Sequence, residues 1–144
     1  MSAYNMYVFG KNGLLLHYSE WNRKRRSNMT LDEEAKLMYG SLFSLKNFCR
    51  KVSPLDFKDG FMCYKTTSYM LSVLETLTGL KFVINTDLNL SGTRSLLEKI
   101  YSEVFVEYVV KNPMWQIGQP IQSELFKTKL HEVVNQHVAS VQRS

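Results

Sequence analysis

Cysteine is scarce in this chain, with Cys49 and Cys63 the only two. Two thiols among so many apolar side chains suit small buried hydrophobes in a reducing compartment, not a disulfide framework. No apolar run reaches the roughly 18 residues that a membrane-spanning helix needs. The first residues lack the basic stretch, long apolar segment and cleavage site of a secretory signal. Ser2 stands where myristoylation requires glycine, and no prenylation cysteine closes the chain. The cytosol is therefore the expected compartment. Asn28-Met29-Thr30 and Asn89-Leu90-Ser91 match the glycosylation pattern but are expected to stay unmodified there.

Chemistry-bearing motifs are equally thin. The chain has no GxGxxG, P-loop, HExxH or GxSxG pattern. Its histidines are His17, His131 and His137. The last two are six residues apart, about 240° round a helix, so they cannot share a metal. His17 stands alone in an apolar strand, as a satisfied sheet histidine does. Asp56 and Asp59 in SPLDFKDG could pair as carboxylates, but aspartates in such loops usually bond their own backbone. Neither a catalytic constellation, a metal site nor a cofactor is expected, and the chain is not read as an enzyme.

What is present is apolar side chain in quantity. At 144 residues with 44% hydrophobic and 12% aromatic content, the chain is expected to form one domain over residues 1–144. Net charge is +5, and much of the excess lies in Arg23-Lys24-Arg25-Arg26. A basic run of this kind is either a solvated loop or a contact for acidic protein or acidic membrane. No base-stacking aromatics are interleaved with it, so nucleic acid is not the expected partner.

The stretch TLDEEAKLMYGSLFSLKNFCRKVS, Thr30 to Ser53, predicts the organising helix. Thr30 and Glu33 form a capping box, and Pro54 forces the stop. Leu31, Ala35, Met38, Leu42, Leu45, Cys49 and Val52 recur at steps of three and four, which lines them along one core-facing stripe. The opposite face carries Lys36, Tyr39, Gly40, Phe43, Asn47 and Arg50. Two aromatics here flank a glycine that costs a helix interior about 1 kcal/mol. Either Tyr39 and Phe43 reach round to the edge of the core, or this face is a protein-docking surface with aromatic anchors and basic neighbours.

Before that helix, Ala3–Phe9 and Leu14–Tyr18 read as strands apolar on both faces, joined at Asn12-Gly13, a hairpin signal in which both turn residues take positive φ. After it, Phe61–Thr66, Tyr69–Thr76 and Lys81–Thr86 read as three more strands with short, antiparallel connections. A helix over about 92–111 has Leu97, Ile100, Tyr101, Val104 and Tyr108 on one stripe, thickened by neighbouring apolar residues. A last helix over about 123–141 turns Phe126, Leu130, Val133, His137 and Val141 inward. The order ββαβββαα, with a sheet apolar on both faces, predicts an α+β fold. It is a three-layer α/β/α sandwich on a five-stranded antiparallel sheet.

Four segments then carry a resemblance. KLMYGSLFSLKNF, SPLDFKDGF, TLTGLKFVINTD and KNPMWQIGQPIQSELF are similar to the subunit 1 family of the trafficking protein particle (TRAPP) complex, over about residues 3 to 138. The resemblance implies a longin-like (profilin-like) domain in a cytosolic multisubunit complex that tethers vesicles between endoplasmic reticulum and Golgi. It further implies subunits of the subunit 3 and subunit 4 types as neighbours. Through the assembled complex, the partner is a Rab GTPase undergoing guanine nucleotide exchange, with peripheral membrane contact. Two other readings stay open: a longin-type adaptor or tether with no part in exchange, and a basic nucleic-acid-binding domain using Arg23 to Arg26.

Overall fold

The computed structural model describes residues 3–21, 30–52, 61–116, 119–121 and 123–143, with side chains throughout these except at 46, 48–52, 142 and 143. Alternation in the first twenty positions builds a hairpin of β1 (Ala3–Phe9) and β2 (Leu15–Glu20), pairing Tyr7 with Tyr18 and Val8 with His17. Its turn departs from the expected form, because Gly13 takes φ 83° while Asn12 keeps a negative φ. Gly13 N–H donates to Gly10 O at 3.0 Å and Gly10 N–H to Leu14 O at 2.8 Å. In this longer loop one left-handed residue after a type I turn suffices.

Strands β3 (Phe61–Lys65), β4 (Met70–Glu75) and β5 (Lys81–Thr86) complete the sheet in the order β2-β1-β5-β4-β3, every neighbour antiparallel. The expected five-stranded antiparallel sheet is thus present. Cys63 departs from expectation. It lies on β3, the last strand, with Ser72 of β4 beside it on one side only, and is exposed rather than core.

Helix α1 (Leu31–Val52) covers one face. Its capping box forms as the sequence predicts: Glu33 N–H donates to Thr30 Oγ1 at 3.3 Å, and Thr30 N–H to Glu33 Oε2 at 3.4 Å. Asp32, Glu33 and Glu34 add negative charge where the helix dipole is positive. Ala35 and Leu42 are buried and Met38 and Leu45 half-buried, whereas Leu31 is exposed. That one residue of the expected stripe is corrected: it precedes the point where the helix meets the sheet.

The other face is covered by α2 (Thr93–Lys99), which continues as a π-helix over Ile100–Val110, and by α3 (Glu124–Arg143). The wider turn of the π segment is visible in Lys111 N–H, which reaches Val106 O five residues back at 3.1 Å. It also changes which residues are inside. Ile100, Val104, Phe105 and Val109 are buried, Val109 to 1% exposure, while Tyr108 is only half-buried. A 3.6-residue period predicts the reverse for the last two. Apolar pairs at 96/97, 100/101, 104/105 and 109/110 are spaced by four and five, which the π turn accommodates.

Candidate protein-docking surface

The six outer-face positions of α1 separate once the helix is seated. Tyr39 turns inward: its ring meets Phe9 edge-on at 5.5 Å, and Lys81 Nζ sits 5.1 Å from its centroid. A side chain at Gly13 would come within 3.0 Å of Tyr39 Cε1, so hairpin and tyrosine are fitted together. Tyr39 is therefore core edge, not outer face. The physical reason is phase, since it lies four residues after Ala35 and three before Leu42. Phe43 stays outside at 61% exposure, and Lys36, Gly40 and Asn47 are exposed with it. The Arg50 side chain lies outside the described residues, as do those of Cys49 and Val52, the whole Arg23–Arg26 run, Asp56 and Asp59.

Gly40 has open space around it, with no atom within 4 Å of where a Cβ would stand. Among the described residues nothing requires a glycine there. It borders a groove of about 1260 Å³ between α1 and the β3–β4 side of the sheet. Leu37, Met38 and Ser41 form the helix wall, Tyr64 and Tyr69 the opposite wall, and Tyr7 and Leu71 part of the floor. Leu37 is 57% exposed, and Tyr64 and Tyr69 are also exposed. These three were missed in the sequence. Leu37 falls off the core stripe and so should have drawn notice as an apolar residue pointing to solvent. Tyr64 and Tyr69 gave no signal that separates them from ordinary strand residues.

One end of the floor is polar. Asn85 Nδ2 donates to Asn5 Oδ1 at 2.9 Å, Asn5 Nδ2 to Tyr18 O–H at 3.4 Å, and Tyr18 O–H to Glu20 Oε2 at 3.1 Å. Asn85 Oδ1 is buried and accepts no hydrogen bond among the described residues. The groove offers apolar area, two tyrosine rings and side-chain amides. This is the chemistry of a protein-binding surface. Among the described residues no group of three His, Cys, Asp or Glu side chains could hold a metal ion, and no helix is long and apolar enough to cross a membrane.

A five-stranded antiparallel sheet between one long helix and a two-helix layer, with an apolar groove beside the lone helix, defines a small longin-like domain. The family model described as Sybindin-like matches residues 3–137, and the chain belongs to that family. It is 51% identical over 134 residues to the human trafficking protein particle complex subunit 1, covering 93% of this chain and 92% of that one. The Dictyostelium discoideum subunit 1 is 43% identical over 135 residues, covering 92% and 94%. The bovine subunit 4 is 38% identical over 106 residues, 73% of this chain and 47% of the relative. Among solved structures, "MglB with tetrameric arrangement" aligns over 94% of this chain and 79% of its own at TM-score 0.48 and 12% identity.

Proposed function

We propose that this chain is a non-catalytic structural subunit of a TRAPP vesicle-tethering complex acting in ER-to-Golgi transport. In that role it contributes part of the composite surface that binds a Rab GTPase for guanine nucleotide exchange. The observation that carries the proposal is 51% identity across 93% of the chain to subunit 1 of that complex. Its neighbours would be subunits of the subunit 3 and subunit 4 types, and the complex would hold it at the cytoplasmic side of Golgi and endoplasmic reticulum membranes.

The physical demands of exchange suit such a subunit. A GTPase grips its nucleotide through Mg²⁺ and ordered switch loops. A partner speeds release by binding the displaced switch conformation better than the loaded one. That requires a rigid, broad surface and no acid, base or nucleophile. The proposed docking residues are Lys36, Gly40, Phe43 and Asn47 on the outer face of α1, with Arg50 further along the same helix. Leu37, Tyr64 and Tyr69 join them across the groove. Tyr39 supports this face from beneath.

The test is GDP release from the early-secretory Rab, comparing this chain alone, the remaining subunits without it, and the two combined. Release only in the combination supports the composite surface. Full release without this chain would leave it a longin-type adaptor or tether with no part in exchange.

A further inference from the structure

All three histidines of the chain lie along the seam where α3 rests on its neighbours. His17 on β2 meets Phe126 of α3 edge-on at 4.9 Å, and its Nε2 shares a 2.6 Å hydrogen bond with Ser19 Oγ. Just past the end of β2, Trp21 Nε1–H donates to His131 Nδ1 of α3, their rings 5.2 Å apart and tilted at 71°. His137, two turns on, bonds through Nε2 to Ser91 O at 2.8 Å, against Gly92.

These bonds differ in what a proton does to them. An indole N–H only donates, so Trp21 requires His131 Nδ1 to be bare; a proton there points two hydrogens at each other. His17 is 6% exposed with Phe126 against its ring, and among the described residues a charge on it has little solvent and no opposite charge facing it. A carbonyl only accepts, so His137 donates its Nε2–H to Ser91 O, a bond that needs no bare ring nitrogen. The surrounding charges reinforce this division. Lys127 and His131 on α3 face His17 and oppose its protonation. The carboxylates of this stretch of α3 are occupied, Glu124 with Lys127 at 3.4 Å and Glu132 with Lys129 at 3.5 Å. Glu20 of β2 takes Tyr18 O–H on the other face of the sheet.

We propose that the seam between β2 and the first half of α3 is an acid-releasable latch. On this proposal, mild acid raises the fraction of molecules in which Phe126 to His131 have left the strand, while His137 keeps the second half of α3 tied to Ser91. Burial, and then Lys127 and His131, hold His17 down to about 4, and burial lowers His131 as well. Sign follows from linkage: a histidine whose folded value is depressed stabilises the closed seam at neutral pH. That contribution is lost as pH falls below the ordinary 6.5 toward the folded value. At pH 5 His17 alone shifts the open–closed equilibrium by about 30-fold, since the open form binds its proton freely and the closed form barely does.

The full chain is followed from pH 7.5 to pH 5 by hydrogen exchange, corrected for the intrinsic pH dependence of amide exchange. Amides of 124–133 are expected to lose protection by about 30-fold or more. Those of 134–143 and of β1, β4 and β5 are expected to hold. In the His17→Gln, His131→Gln double variant the pH dependence is expected to vanish. Should that variant not fold, regional exchange of the unaltered chain still decides. Equal loss of protection across all elements, or an unchanged 124–133 region at pH 5, overturns the latch.

Discussion

Among the described residues the two faces of the sheet are finished to different degrees, and the proposed docking surface lies on the thinner one. Against α2, the π segment and α3, eighteen buried apolar residues interlock, with Phe82, Phe105 and Phe126 among them. Against α1 the corresponding cluster has seven among the described residues, which leave out the side chains at 46 and 48–52, and the helix leaves Leu37 and Phe43 in water beside an open groove. One face is sealed by the chain's own residues. The other keeps an open groove, floored by Tyr7 and Leu71 between the helix wall and Tyr64 and Tyr69, with apolar side chains exposed along it. A core buried by the chain itself should answer to stability measurements, while a half-covered face should answer to binding.

The largest effect should come from the sealed side. Phe126→Ala removes a fully buried ring that also packs on His17, and a cost of about 3–5 kcal/mol is expected in urea denaturation. A cost under about 1 kcal/mol would mean that the deep core tolerates cavities and that the contrast between the faces is wrong.

Tyr39→Ala is the next test, because it lies on the thin side yet belongs to its core. Losing the Phe9 edge contact and the Lys81 cation over its ring should cost about 2–3 kcal/mol, somewhat less than a fully buried aromatic. Phe43→Asp, one position past Leu42, should cost less than about 0.5 kcal/mol and leave the chain folded. In the reassembled complex Phe43→Asp should nonetheless reduce GDP release. Equal stability losses for the two variants would place Phe43 in the core and remove the proposed docking face.

That pair also shows how far the sequence could be read. The strands of the outer hairpin, the central helix with its capping box, and the order ββαβββαα all follow from periodicity and turn residues, because burial on one face repeats at the period of the element. Tyr39 was legible too, since its spacing from Ala35 and Leu42 places it on the buried stripe, but its pairing with Gly40 drew it outward. The π turn at Ile100–Val110 was written in apolar pairs four and five apart, which resemble a merely thick α-helix until Val109 is seen inside and Tyr108 half out. Tyr64 and Tyr69 could not be assigned to the groove, because their joining with Leu37 depends on how far α1 reaches across the sheet. In the sequence His131 and His137 are comparable only as a possible metal pair, and His17 stands alone. Only the fold brings His17 and His131 to one seam, with His137 further along it at Ser91.

Gly40 gives the smallest and most discriminating test. No described residue comes within 4 Å of its Cβ position, so Gly40→Ala should stabilise α1 by up to about 1 kcal/mol through helix propensity alone. A glycine standing here against that gain is explained if another subunit or the GTPase brings its backbone against this turn of the helix. Gly40→Ala is then expected to raise the urea midpoint of the isolated chain while weakening its incorporation into the complex or its contribution to GDP release. Higher stability with both of these unchanged would show that no close approach occurs at Gly40. The docking surface would then have to be redrawn around Leu37, Tyr64 and Tyr69, on the groove side of the helix.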